Sequence, residues 1–145
     1  MQYKLLLASD GSDNAVRAAE FVVELLAAAP AIKVTVLAVN DIIEKMKYYS
    51  PLRSPVVLEE VEIFFKEKTR EALETTMEVF EKQGIKVDGV TKVGNPARVI
   101  VDYARDEDVN HIVIGSRGLG SLKGIVLGSV SSKVIQLAGC PVTVV

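Results

Sequence analysis

The stretch HIVIGSRGLGSLKGIVLGS, His111 to Ser129, decides how this chain reads. His111 to Ile114 is a short, mostly apolar run that reads as a strand. Gly115 to Gly128 then holds five glycines and almost nothing that builds a core. Val130 to Ala138 reads as a short helix, with Ser129 at the N-cap and Ser131 and Ser132 just inside it. Glycine lets the backbone take positive φ and lets a ligand approach closely. A strand, a glycine-rich loop and a helix start are how α/β proteins hold phosphate, through free amides and the helix dipole.

Two familiar phosphate loops are excluded by spacing. A P-loop needs Lys directly after its last glycine, then Ser or Thr. Gly115 and Gly120 have the right separation, but Ser121 and Leu122 follow. The dinucleotide fingerprint needs three glycines in the first strand-to-helix turn. Gly118 and Gly120 begin that pattern, but Lys123 stands in the third place and the loop lies late in the chain.

Elsewhere the chain alternates strands and helices. Tyr3 to Ala8 is a doubly buried strand, closed by Ser9-Asp10-Gly11-Ser12. Ser12 or Asp13 caps a helix from about Asn14 to Ala29, with Ala15, Ala18, Ala19, Val22, Val23 and Leu26 at helical spacing. Lys33 to Val39 is the second strand. Asp41 to Pro55 is irregular and reads as a surface loop, with a lid or partner surface as the alternative. Pro55 or Val56 to Gln83 is a long helix ended by Gly84. Its expected buried stripe is Val57, Val61, Phe64, Phe65, Leu73, Met77 and Phe80. Its charged face carries no binding role in this reading.

Lys86 to Lys92 is an edge strand. Gly94-Asn95-Pro96 opens a helix from Ala97 to Asp106, with Asn95 as N-cap. Val109 to Ile114 and Val142 to Val145 are the last two strands. Five strands and four helices in strict alternation predict one domain over residues 1–145. It is a three-layer, doubly wound α/β sheet, all parallel, in order 3-2-1-4-5.

Composition sets further bounds. The chain has 145 residues, 49% of them hydrophobic and 25% charged, with net charge −2. That balance gives no electrostatic case for nucleic acid or an anionic membrane surface. Cys140 is the only cysteine, so an intrachain disulfide is impossible and a cytoplasmic home is expected. It reads as a small buried hydrophobe. No apolar run reaches the ~18 residues of a membrane helix.

The spacing Gly115, two residues, Gly118, nine residues, Gly128-Ser129 resembles the nucleotide-binding signature of the universal stress protein family. Leu5 to Ser12 resembles the family's opening strand and acidic turn. Gly94-Asn95-Pro96, Asn110 to Gly118 and Gly139-Cys140-Pro141-Val142 resemble further family segments. The resemblance implies a Rossmann-like fold of the adenine nucleotide α-hydrolase type, bound ATP and a homodimer through Val142–Val145. It implies that Asp10 contacts the nucleoside and that the Val39 backbone meets the adenine. Gly115, Gly118, Gly128 and Ser129 then hold ribose and phosphates.

The residues themselves agree. Open α/β sheets bind ligands beyond the C-terminal strand ends, where strand order reverses, and that places Asp10 and Gly115 on one crevice. Asp10 accepts hydrogen bonds from ribose hydroxyls, and amides around Gly128, Ser129, Val130 and Ser131 face phosphate. Arg117 and Lys123 either add charge or face water. A triphosphate would bring Mg²⁺, held chiefly by phosphate oxygens and water, so no side-chain metal site is expected. His111 lies at the far end of its strand.

Three functions stay open at this point. The first is a small ATP-binding stress or regulatory protein. The second is a slow ATPase, although no catalytic set is visible. The third is a nucleotide-free dimeric interaction module built on Ile42 to Tyr49 and the last strand.

Overall fold

The computed structural model describes residues 2–48, 55–119 and 127–145. The elements run β1 (Lys4–Ser9), α1 (Asp13–Ala28), β2 (Lys33–Asn40), α2 (Ile42–Met46) and α3 (Pro55–Glu81). They continue with β3 (Asp88–Val93), α4 (Pro96–Asp106), β4 (His111–Ile114), α5 (Ser129–Leu137) and β5 (Val142–Val144). All five strands are parallel, in the order β3-β2-β1-β4-β5. This is the expected doubly wound sheet.

Successive strand side chains point to opposite faces, and β1 divides its residues accordingly. Leu5 and Leu7 join Val34, Val36 and Val113 beneath Ala18, Val22 and Phe80 of α1 and α3. Leu6 and Ala8 join Leu37, Ile112 and Ile114 beneath Ala97, Ile100 and Val134 of α4 and α5. Each fully buried Leu, Ile or Phe contributes roughly 1.5–3 kcal/mol. The central strands therefore carry most of the stability and hold the strand ends in place.

The sequence predicts four helices, and the described residues contain five. The extra one is α2, only five residues long, which is too short to show a periodic pattern. Local bonds start it: Asn40 Oδ1 accepts from the Ile42 amide at 3.0 Å and the Asp41 carbonyl from the Lys45 amide at 3.0 Å. The rest of the irregular segment, residues 49–54, lies outside the described residues.

The stripe expected on α3 is corrected in its first half. Phe80 is fully buried, and Leu73 and Met77 pack against the core. Phe64 is 62% exposed and Val57 36%. The reason is length. Twenty-seven helical residues span about 40 Å, whereas a strand of six to eight residues spans about 20–26 Å. The N-terminal half of α3 therefore overhangs the sheet beyond the C-terminal strand ends. At the other end Gly84 takes φ +68° and closes the helix, with the Ile85 amide donating to the Phe80 carbonyl.

Candidate functional site

Three strand ends and the α3 overhang enclose one cleft of about 800 Å³. Its floor is the C-terminal ends of β1, β2 and β4. β1 and β4 are neighbours in register, Ala8 beside Ile114, so the turns that leave them face each other.

The turn after β1 is built by short polar residues. Gly11 has φ +79°, a conformation that favours glycine. Ser12 caps α1, its Oγ accepting from the Ala15 amide at 3.2 Å. Asp10 Oδ1 accepts from the Ser12 amide at 3.0 Å, and Oδ2 accepts from the Leu119 amide at 2.8 Å. The acidic turn and the glycine loop are thus joined directly. A Cβ on Gly118 would overlap Asp10 Oδ2, so the loop comes this close only with glycine there.

The loop is anchored at both ends. A Cβ on Gly115 would stand 3.0 Å from the Asn14 backbone. The Gly115 carbonyl accepts from Ser131 Oγ at 2.6 Å. The Ser116 amide donates to the Val145 carbonyl at 2.7 Å and the Gly128 amide to the Ser116 carbonyl at 2.6 Å. The loop returns to its starting point, and α5 begins beside the end of β4.

One assignment changes here. Ser129 is expected at the N-cap, but the cap is Gly128, and Ser129 is the first residue of α5. Gly128 makes no side-chain cap bond. The amides of a first helical turn have no intrahelical acceptor, so a capping Ser would have occupied one that glycine leaves available. Ser131 is buried and its proton goes to Gly115. Its hydroxyl braces the loop at the cleft wall.

The structure brings Asp10, Val39, Gly115, Arg117, Gly118, Gly128, Ser129, Val130 and Ser131 to this one cleft. Lys123 lies outside the described residues. Among the described residues Arg117 forms no ion pair. No group of three metal-ligating side chains occurs among the described residues.

Sequence reasoning missed the α3 wall. Phe65, Lys68, Thr69 and Ala72 line the cleft, and so does Lys45 of α2. Lys68 Nζ lies 5.8 Å from the Phe65 ring centroid. The charged face of α3 is therefore not wholly a solvated face. A residue facing solvent and one facing a cleft show the same periodicity, and only the overhang separates them.

Two other singled-out residues stand away from the cleft. His111 opens β4, its Nε2 2.7 Å from Thr143 Oγ1 and its ring edge-on to Tyr3. Burial holds its pKa below the ordinary value. Cys140 is half-buried against the α4/α5 core, and burial pushes its thiol pKa up.

The Universal stress protein family model matches residues 1–145. Universal stress protein YxiE of Bacillus subtilis is 34% identical, over 98% of this chain and 97% of that protein. The solved structure of protein MJ0577 of Methanocaldococcus jannaschii superposes with TM-score 0.79 at 33% identity, covering 100% of this chain and 96% of that one. A family protein of Arabidopsis thaliana with AMP bound has TM-score 0.69 at 23% identity, covering 99% and 90%. Two other solved universal stress proteins of this fold are complexes with dAMP and with cAMP. A match of the family model along the whole length, with a relative alike from end to end, means that this chain belongs to the universal stress protein family.

Proposed function

We propose that this protein binds an adenine nucleotide in the cleft between the β1–α1 turn and the β4–α5 loop, with ATP as its ligand. The observation that carries this reading is the direct junction of Asp10 with the glycine loop, beside a helix start capped by glycine. Asp10 offers acceptor positions to ribose hydroxyls. The first amides of α5, at Ser129, Val130 and Ser131, face the phosphates, where helix dipole and free N–H groups favour an anion. Val39 and the apolar floor take the base. The cleft volume lies within the range of small-molecule sites. The adenine nucleotides held by solved family members support the same ligand class.

Arg117 and Lys68 both line the cleft and add positive charge there, which suits a ligand with several phosphates. Mg²⁺ would accompany ATP, held by phosphate oxygens and water. The residues here bind and orient. Hydrolysis needs a positioned base and charge neutralisation at the γ-phosphate, and no side chain described in the cleft is assigned that role.

A second copy of the chain is proposed to cover the outer edge of β5. That strand ends the sheet, and an edge presents unpaired amides and carbonyls that proteins normally pair or cover. Two-fold pairing of Val142–Val144 would satisfy them. Light scattering at high concentration is expected to give a dimer, and a monomer would reject this part.

Isothermal titration of ATP with Mg²⁺ into the purified protein tests the main reading. Saturable one-site binding is expected. Absence of binding at millimolar ATP would reject it.

A further inference from the structure

The long helix α3 touches the acidic turn at two points. The first is backbone packing: a Cβ on Gly11 would lie 2.9 Å from the Ala72 Cα. The second is a line of hydroxyls. The Gly11 amide donates to Ser9 Oγ at 3.0 Å, and Ser9 Oγ lies 2.5 Å from Thr76 Oγ1. Thr76 Oγ1 in turn donates to the Ala72 carbonyl at 3.0 Å.

One assignment of protons satisfies every contact in this line. Each hydroxyl has one proton. Thr76 gives its proton to Ala72, so Ser9 must give its own to Thr76 and accept the Gly11 amide. The relay runs one way, from the turn into the helix backbone. Thr76 is fully buried and Ser9 nearly so. Ser9 lines the cleft and Thr76 does not. Asp10 stands between Ser9 and Gly11, so the relay grips the chain on both sides of it.

A threonine in a helix commonly back-bonds to the carbonyl four residues earlier, and Thr69 does so to Phe65 at 2.8 Å. That bond alone gives Thr76 no reason to reach the site. Its second bond, to Ser9, does. If the core needed only volume here, valine would serve as well.

We propose that Thr76 is a positioning residue for the nucleotide site: the relay Gly11–Ser9–Thr76–Ala72 fixes the turn that aims Asp10 at the ligand. This rests on the nucleotide-binding reading above. The consequence is that α3 and the site are coupled through the turn, so a change in the seating of α3 alters ligand affinity even where Thr76 itself does not line the cleft.

The test uses the full chain with Thr76→Val, Thr76→Ser and Ser9→Ala. Two measurements are made: hydrogen exchange of the Gly11 amide without ligand, and titration of ATP with Mg²⁺. Thr76→Val keeps shape and loses the hydroxyl. Its Gly11 amide is expected to exchange faster, and its Kd for ATP to rise about tenfold, or about 1.4 kcal/mol. Thr76→Ser restores the hydroxyl and is expected to bind near the wild-type level, even with a lower Tm. Ser9→Ala is expected to repeat the valine result, which keeps the test decisive if either Thr76 variant folds poorly. Unchanged Gly11 exchange in Thr76→Val overturns the relay. So does equal loss of affinity in Thr76→Val and Thr76→Ser, which would mark a packing role. Faster exchange with unchanged affinity overturns the positioning of Asp10. If the wild type binds no nucleotide, the nucleotide reading fails, and the exchange arm still decides the relay.

Discussion

Asp10 Oδ2 accepts the backbone amide of Leu119 at 2.8 Å, across 109 positions of chain. One carboxylate thus belongs to both walls of the cleft, because its other oxygen holds the Ser12 amide of its own turn. A charge-assisted bond of this kind is about twice as strong as a neutral one. Asp10→Asn removes the charge and places an amide group where one acceptor stood. Titration of ATP with Mg²⁺ is expected to show Kd raised about tenfold or more. Wild-type affinity in this variant would remove Asp10 from the site.

Gly118 is small because Asp10 is there. A methyl group on Gly118 overlaps Oδ2, so Gly118→Ala must move the loop or the carboxylate. The expected outcome is a loss of ATP affinity comparable with Asp10→Asn and a change in Tm of only a few degrees, since Gly118 itself is exposed. Calorimetry of the two variants side by side checks this.

Gly11→Ala acts on stability instead. It places a side chain at φ +79° against the α3 backbone. Strained φ and a backbone overlap together cost about 2 kcal/mol. For a chain of this size that lowers Tm by roughly 6 °C, read by thermal denaturation.

The α3 overhang separates two phenylalanines sixteen positions apart. Phe80→Ala empties a fully buried site and is expected to cost about 3–5 kcal/mol. Phe64→Ala changes a mostly exposed ring, with an expected cost of about 0.5 kcal/mol or less. Urea denaturation of both variants measures the contrast.

His111 sets a pH dependence. Burial holds its folded pKa below the ordinary 6.5. The unfolded chain therefore binds more protons than the fold between those two values, so stability falls as pH drops through that window and is regained as pH rises. The contact with Thr143 sits on the same ring. Tm measured from pH 7.5 down to 5 is expected to decline less steeply in His111→Gln than in the wild type.

Read from the chain alone, the parallel doubly wound class, the alternation of strands with helices apart from α2, and a crevice flanked by Asp10 and Gly115 were all legible. The elements rest on local facts, apolar runs of strand length and caps such as Ser12 and Asn95, and the crevice follows from the strand order of the doubly wound class, which puts β1 beside β4. Tertiary structure alone decided which face of α3 meets the cleft, because Phe65 and Lys68 carry the same helical period whether a wall or water lies opposite. It alone moved the cap of α5 from Ser129 to Gly128, since a one-residue shift depends on where the Ser116 carbonyl takes the Gly128 amide. It alone joined Ser9 to Thr76, two hydroxyls 67 positions apart, because hydrogen bonds between distant residues leave no periodic trace in the chain that makes them.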